Sequence, residues 1–229
     1  MSDSTANQNS LTATLGSNAD VFSCCGFAAG GALEFDGQAT IDDIRVTGND
    51  TSVTSPAGAA LANGMIASFF PSPPTSLVEH SVISGNTVEA TSKSGSATIL
   101  GVGVLNAAGL DLESDQITDN RGDAHAPAGN AHGAGVWNGP FPGGPPVQLS
   151  IGHTPIGHNV LHGTKGIALQ GAGVYSCGAP FTLDHSDVRD NHPDQIFTCP
   201  GPTVPATPAL GGGAGHRSSD DLALVEGWK

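Results

Sequence analysis

Aligning the chain on five asparagines, Asn49, Asn86, Asn120, Asn159 and Asn191, brings its acids and imidazoles into two adjacent columns. The first reads Asp42, Glu79, Glu113, Gly152, Asp184, and the second reads Asp43, His80, Ser114, His153, His185. Carboxylates stacked at roughly 5 Å on consecutive strands raise one another's pKa or share a cation such as Ca2+. Paired carboxyls at such distances also serve glycoside hydrolysis. Asp42, Asp43, Glu79 and Glu113 are therefore the candidate catalytic acids. An imidazole column beside them, with His80, His153 and His185, could ligate a transition metal or supply a general acid or base. The plain alternative for both columns is a solvated polar face. His125, His132, His153, His158 and His162 crowd the middle of the chain, but their spacing matches no zinc signature.

The columns exist only if something repeats. The five asparagines are separated by 37, 34, 39 and 32 residues, and each closes a unit that begins Gly-x-small-Val/Leu, at Gly30, Gly58, Gly101, Gly133 and Gly171. A period in the thirties with strand-like alternation inside it describes a stacked array, since one unit cannot bury its apolar face alone. Three apolar columns follow: Val46, Ile83, Ile117, Ile156, Val188; Ile41, Val78, Leu112, Ile151, Leu183; and Ala39, Ser76, Leu110, Leu149, Phe181. Apolar residues two apart, recurring coil after coil, are the inward faces of parallel strands. Asn at a coil corner tolerates left-handed backbone and bonds neighbouring amides, so the five asparagines form a structural ladder.

The last unit, GAGVYS followed by FTLDHSDVRDNHPDQI, resembles the terminal coil of right-handed parallel β-helix repeats of the pectin-lyase-like superfamily, in particular the polymorphic outer-membrane-protein type. The resemblance implies an all-β, right-handed single-stranded parallel β-helix of about five to six coils over residues 26–199. Residues 1–25 read as an N-terminal tail or cap, and the Pro/Gly-rich residues 200–229 as a C-terminal tail. It implies little about activity, because that architecture carries lyases, hydrolases, adhesins and proteins without known chemistry. Asn18-Ala19-Asp20 and Asp42-Asp43 resemble the first half of the polygalacturonase motif, yet neither the Gly-His-Gly nor the Arg-Ile-Lys of its second half follows. Cation-dependent β-elimination needs a basic residue near the acids, and Arg45, Lys93, Arg121, Lys165 and Arg189 do not share a column. Arg121-Gly122-Asp123 reads as a turn.

Units two and four are longer than the others at one corner, through NGMIASFFPSPPTS and WNGPFPGGPPV. With strands about 4.8 Å apart, the two loops would stand roughly 10 Å from each other and flank coil three. Phe69, Phe70, Trp137 and Phe141 would then wall a groove suited to sugar rings, the alternative being loops that simply cover the coil.

Net charge is −14, from 21 acidic and 7 basic residues, which repels nucleic acid and anionic membranes. No run of apolar residues approaches a membrane span. Cys177 and Cys199 flank the last unit and read as a disulfide in preference to two free buried thiols, which places the chain in an oxidising compartment, secreted or at a cell surface. MSDSTANQNS shows no signal peptide, so secretion would imply a leader already removed, with the cytosol as the alternative. The expected function is binding of a glycan or a protein partner without catalysis. The alternative is a glycoside hydrolase or cation-dependent lyase working from the carboxylate column.

Overall fold

The computed structural model describes residues 4–14, 33–35, 38–56, 58–68, 75–140 and 147–199. Among them there is no helix; every element is a short strand, and every strand pairing is parallel. One turn of the chain crosses five walls in order. In the central turn these are wall 1 at Arg121–His125, wall 2 at Ala128–His132, wall 3 at Val136–Asn138, wall 4 at Leu149–Gly152 and wall 5 at Ile156–Gly157. The next turn repeats the order one strand spacing away, so the fold is a parallel β-solenoid.

Walls 1 to 5 contain five, four, six, five and six strands among the described residues. Among the described residues all five walls are present in four consecutive turns, fewer than the five to six coils expected from the repeats. The difference has a simple origin: five closing asparagines are five posts, and five posts bound four intervals. Incomplete turns flank the complete ones. At the beginning, Thr5–Asn7 and Ser10–Thr14 pair in parallel with Arg45–Thr47 and Asp50–Ser55, so part of the segment read as a tail or cap is laid down as rungs. Residues 200–229, Cys24, Cys25 and Asn18-Ala19-Asp20 lie outside the described residues.

Alternation sets what faces inward. Thr87–Ser92 buries Val88, Ala90 and Ser92 and leaves Thr87, Glu89 and Thr91 half-exposed. In wall 5, Val46, Ile83, Ile117, Ile156 and Val188 are consecutive register partners. In wall 4, Ile41, Val78, Leu112, Ile151 and Leu183 are likewise partners. These ladders form the core, and their central members are fully shielded from water. Burying each such side chain contributes about 1.5–3 kcal/mol, which is why the β-branched and leucine columns hold so short a set of strands together.

The Gly-x-Gly that opens each of the last three units is required by the entry to wall 3. Gly133 has a φ of 68°, a backbone state costly to any side chain. At Gly135 a Cβ would collide with the carbonyl of Gly173 on the next rung. Val136, directly after, is buried in the core. Past the end of wall 3, Cys177 and Cys199 form a disulfide, with their Cα atoms 4.6 Å apart and a sequence separation of 22. The bond joins the same corner on two successive rungs, because Ser176 and Thr198 are register partners just before it.

Arg121-Gly122-Asp123 is a strand of wall 1 and not a turn. Gly122 points into the core, where a Cβ would press on Leu161, Val102 and Ile99. Arg121 and Asp123 face outward and bind each other, Nε to Oδ2 at 2.7 Å and Nη2 to Oδ1 at 2.9 Å. Burial pushes the Asp123 carboxyl up, but Arg121 and the neighbouring His162 outweigh it and hold the group below the ordinary carboxylate range.

Candidate functional site

Asp42, Glu79, Glu113, Gly152 and Asp184 are register partners at the end of wall 4, one per rung. The residue after each of them turns the corner toward wall 5. Asp43, His80, Ser114, His153 and His185 all occupy left-handed backbone, with φ of 48°, 53°, 57°, 49° and 47°. Asp and His are among the few side-chain-bearing residues enriched in that conformation. Thus the imidazole column marks a corner, and the corner geometry swings each ring over the acid column.

The rings use that position. His80 Nδ1 lies 3.1 Å from Asp42 Oδ1, on the preceding rung, and 4.0 Å from its own neighbour Glu79. His153 Nδ1 is 2.8 Å from Glu113 Oε1, and His185 Nδ1 is 2.7 Å from Asp184 Oδ1. The rings of His153 and His185 stack 5.2 Å apart and nearly parallel. On the rung without an imidazole, Ser114 Oγ is 3.5 Å from Glu113 Oε1. The hydrogen bond from His80 to Asp42 raises the pKa of that imidazole above 6.5.

Gly152, the gap in the acid column, has a clear role. A Cβ there would run into Glu113 Oε2, so the missing side chain is the space into which the Glu113 carboxylate leans to reach His153. Each imidazole therefore has one carboxylate as its nearest partner, Asp42 for His80, Glu113 for His153 and Asp184 for His185, with Glu79 the second neighbour of His80. All six side chains remain substantially open to solvent. Among the described residues no group of three or more His, Cys, Asp and Glu is arranged to hold a metal ion.

Beneath this wall lies a second, buried column that the repeat alignment did not single out. Ser81, Asp115, Thr154 and Ser186 each stand two residues past the acid position and face inward. Ile44 N–H donates to Ser81 Oγ, Ser81 N–H to Asp115 Oδ1 at 2.8 Å, Asp115 N–H to Thr154 Oγ1, and Thr154 N–H to Ser186 Oγ. The available signal was a polar step two residues past the acid position in units two to five, Ser, Asp, Thr and Ser, where the first unit has Ile44. Burial raises the Asp115 carboxyl to about 7, against the opposing pull of its backbone hydrogen bonds and of His80.

Of the residues expected to wall a groove, Phe69, Phe70 and Phe141 lie outside the described residues. Trp137 is in wall 3, 7% exposed, in register between Leu105 and Tyr175. Tyr175 stacks in turn on His132 at 4.1 Å and on Phe197 at 5.5 Å. His132 is held down to about 4 by burial, with a hydrogen bond to Gln170 opposing. His125, His158 and His162 sit on other walls and corners and do not join the acid column.

The asparagine corner follows wall 5. Asn49, Asn86, Asn120 and Asn159 each donate Nδ2–H to Oδ1 of the next asparagine, at 2.9–3.0 Å, and a second Nδ2–H to a wall 5 carbonyl on the preceding rung. Their backbone N–H groups donate to the same Oδ1 atoms. Asn9 extends the ladder at one end and Gln195 at the other.

Comparison with protein-family models, with curated proteins and with solved structures returns no match. Among the described residues, no helix is long and apolar enough to cross a membrane.

Proposed function

We propose that this protein is a non-catalytic binding protein of the secreted or cell-surface compartment, and that its acid–imidazole wall contacts a glycan. The observation that carries the reading is the pairing on that wall. Each imidazole of the wall has one carboxylate within 3.1 Å, on or beside its own rung, with Glu79 a second neighbour only at His80, which spreads the acids along a line. A line of alternating acceptors and donors at strand spacing suits the recurring hydroxyls of a polysaccharide. Hydrolysis would need an acid and a second carboxyl poised across one bond. The carboxyl whose pKa fits proton transfer near neutrality, Asp115, is 2% exposed and out of reach of a polymer. The disulfide supports an oxidising compartment.

A glycan array with the intact chain tests this. Retention of a glycan that falls at least tenfold in the double variant Glu113→Gln, His153→Ala supports the proposal. Cleavage of a polysaccharide that disappears in Glu79→Gln, Glu113→Gln would replace it with the hydrolase or lyase reading. Neither retention nor cleavage would defeat both.

A further inference from the structure

The buried column under the wall follows one rule with one exception. Its hydroxyls play two parts at once: each accepts a backbone N–H from the preceding rung, and each donates to the carbonyl two residues back. Ser81 Oγ donates to Glu79 O at 2.8 Å, Thr154 Oγ1 to Gly152 O at 2.8 Å, and Ser186 Oγ to Asp184 O at 3.0 Å. Asp115 fills the accepting part with Oδ1, which takes the Ser81 N–H. Its other oxygen, Oδ2, is shielded from solvent and has no hydrogen-bond partner. An ionised carboxylate has no hydrogen to donate, so the donating part would be left empty and a charge left buried.

We propose that Asp115 is a proton-binding site built into the solenoid: Oδ2 carries a hydrogen and donates it to the Glu113 carbonyl, replacing the hydroxyl that serine and threonine supply on the other rungs. The proton comes from solvent and returns to it as the corner opens. The neutral acid reproduces both halves of the hydroxyl pattern, whereas the anion reproduces one and places negative charge under an acidic wall. The titratable groups that face it are His80, on the rung before, which favours the anion, and Glu113, on its own rung, which disfavours it. His80 is itself bound to Asp42, and Glu113 to His153. Burial is the largest influence and raises the group to about 7, against the backbone hydrogen bonds from Ser81 and Glu113, which favour the anion.

The sign follows from linkage. A carboxyl that keeps its proton in the folded chain but loses it near 3.8 when unfolded makes folding most favourable at low pH, and that advantage drains away as pH rises to about 7. Over that interval the folding equilibrium constant should fall by roughly a hundred- to a thousandfold through this one group.

Two measurements on the full chain decide the matter. The side-chain carboxyl carbon of Asp115, followed by 13C NMR in the unmodified protein, should titrate near pH 7, and a midpoint near 4 would overturn the proposal. Denaturant unfolding of wild type and Asp115→Ser between pH 4 and 8 should diverge, with the serine variant gaining relative stability as pH rises. Parallel profiles would overturn it as well. Should Asp115→Ser not fold, the carboxyl titration in the unmodified protein still supports or overturns the assignment by itself. Neither readout depends on what the wall binds.

Discussion

Two corners of the same solenoid, a few residues apart on every rung, solve one backbone problem with opposite choices of side chain. The acid–imidazole corner and the asparagine corner both need left-handed residues: Asp43, His80, Ser114, His153 and His185 at the first, and Gly48, Gly85, Asp119, His158 and Asp190 just before the asparagines at the second. What differs is where the neighbouring polar groups go. At the asparagine corner they are buried, and a primary amide is the one side chain that can accept two hydrogens and donate two in a column of copies of itself. The identity of the residue is therefore fixed on every turn. At the acid–imidazole corner the outer column is wet, so Asp, His and Ser interchange, while the inner column under it accepts either a hydroxyl or, once, a carboxyl. Burial of a polar ladder restricts chemistry; exposure of the same ladder releases it.

The contrast is tested most forcefully at the buried ladder. Asn120→Ala strands the backbone N–H and one Nδ2–H of Asn86, takes from Asn159 Oδ1 one of its two donors, and removes the bond to the Ile83 carbonyl. We expect a loss of about 3–5 kcal/mol in denaturant unfolding. A loss under about 1 kcal/mol would mean that solvent replaces the ladder. Thr154→Ala should rank second, at about 1–2 kcal/mol, because it orphans only the Asp115 N–H and leaves the Gly152 carbonyl its bond from the Ser114 N–H. Equal costs for the two substitutions would erase the distinction between the columns.

The smallest effect belongs to the wet column. Asp42→Asn should return the His80 imidazole from its raised pKa toward 6.5, as read by NMR titration, with little change in unfolding. The sign agrees with linkage: the pair's contribution is present below 6.5, where the imidazole is charged whether folded or not, and is lost as pH rises through the higher folded value. An unchanged His80 titration in Asp42→Asn would remove the pairing from the wall.

How much of this could be read in the chain depended on whether periodicity encodes it. In a parallel stack a fixed sequence separation becomes a neighbour in space, so the all-β solenoid and the columns of Val46, Ile83, Ile117 and Ile156 followed from counting alone. The number of turns did not, because markers were counted in place of the gaps between them. The rungs at Thr5–Asn7 and Ser10–Thr14 were obscured by polar, small residues that read as a tail. In the candidate site, the positions of His80, His153 and His185 were legible, but the left-handed backbone that selects them is a property of φ and leaves only a weak mark in composition. The break at Gly152 read as an interruption, since a glycine's use as room for Glu113 shows only when both rungs are present. Asp115 was overlooked because an aspartate in a chain of net charge −14 is taken for surface.

The sulfur bridge between Cys177 and Cys199 sits at the last pair of rungs among the described residues. A stack whose layers touch only their neighbours comes apart from its ends, one layer at a time. With these two layers tied, unravelling from this terminus has to begin with a step two layers deep, and reducing agents would act here as a latch release long before they touched the middle of the array.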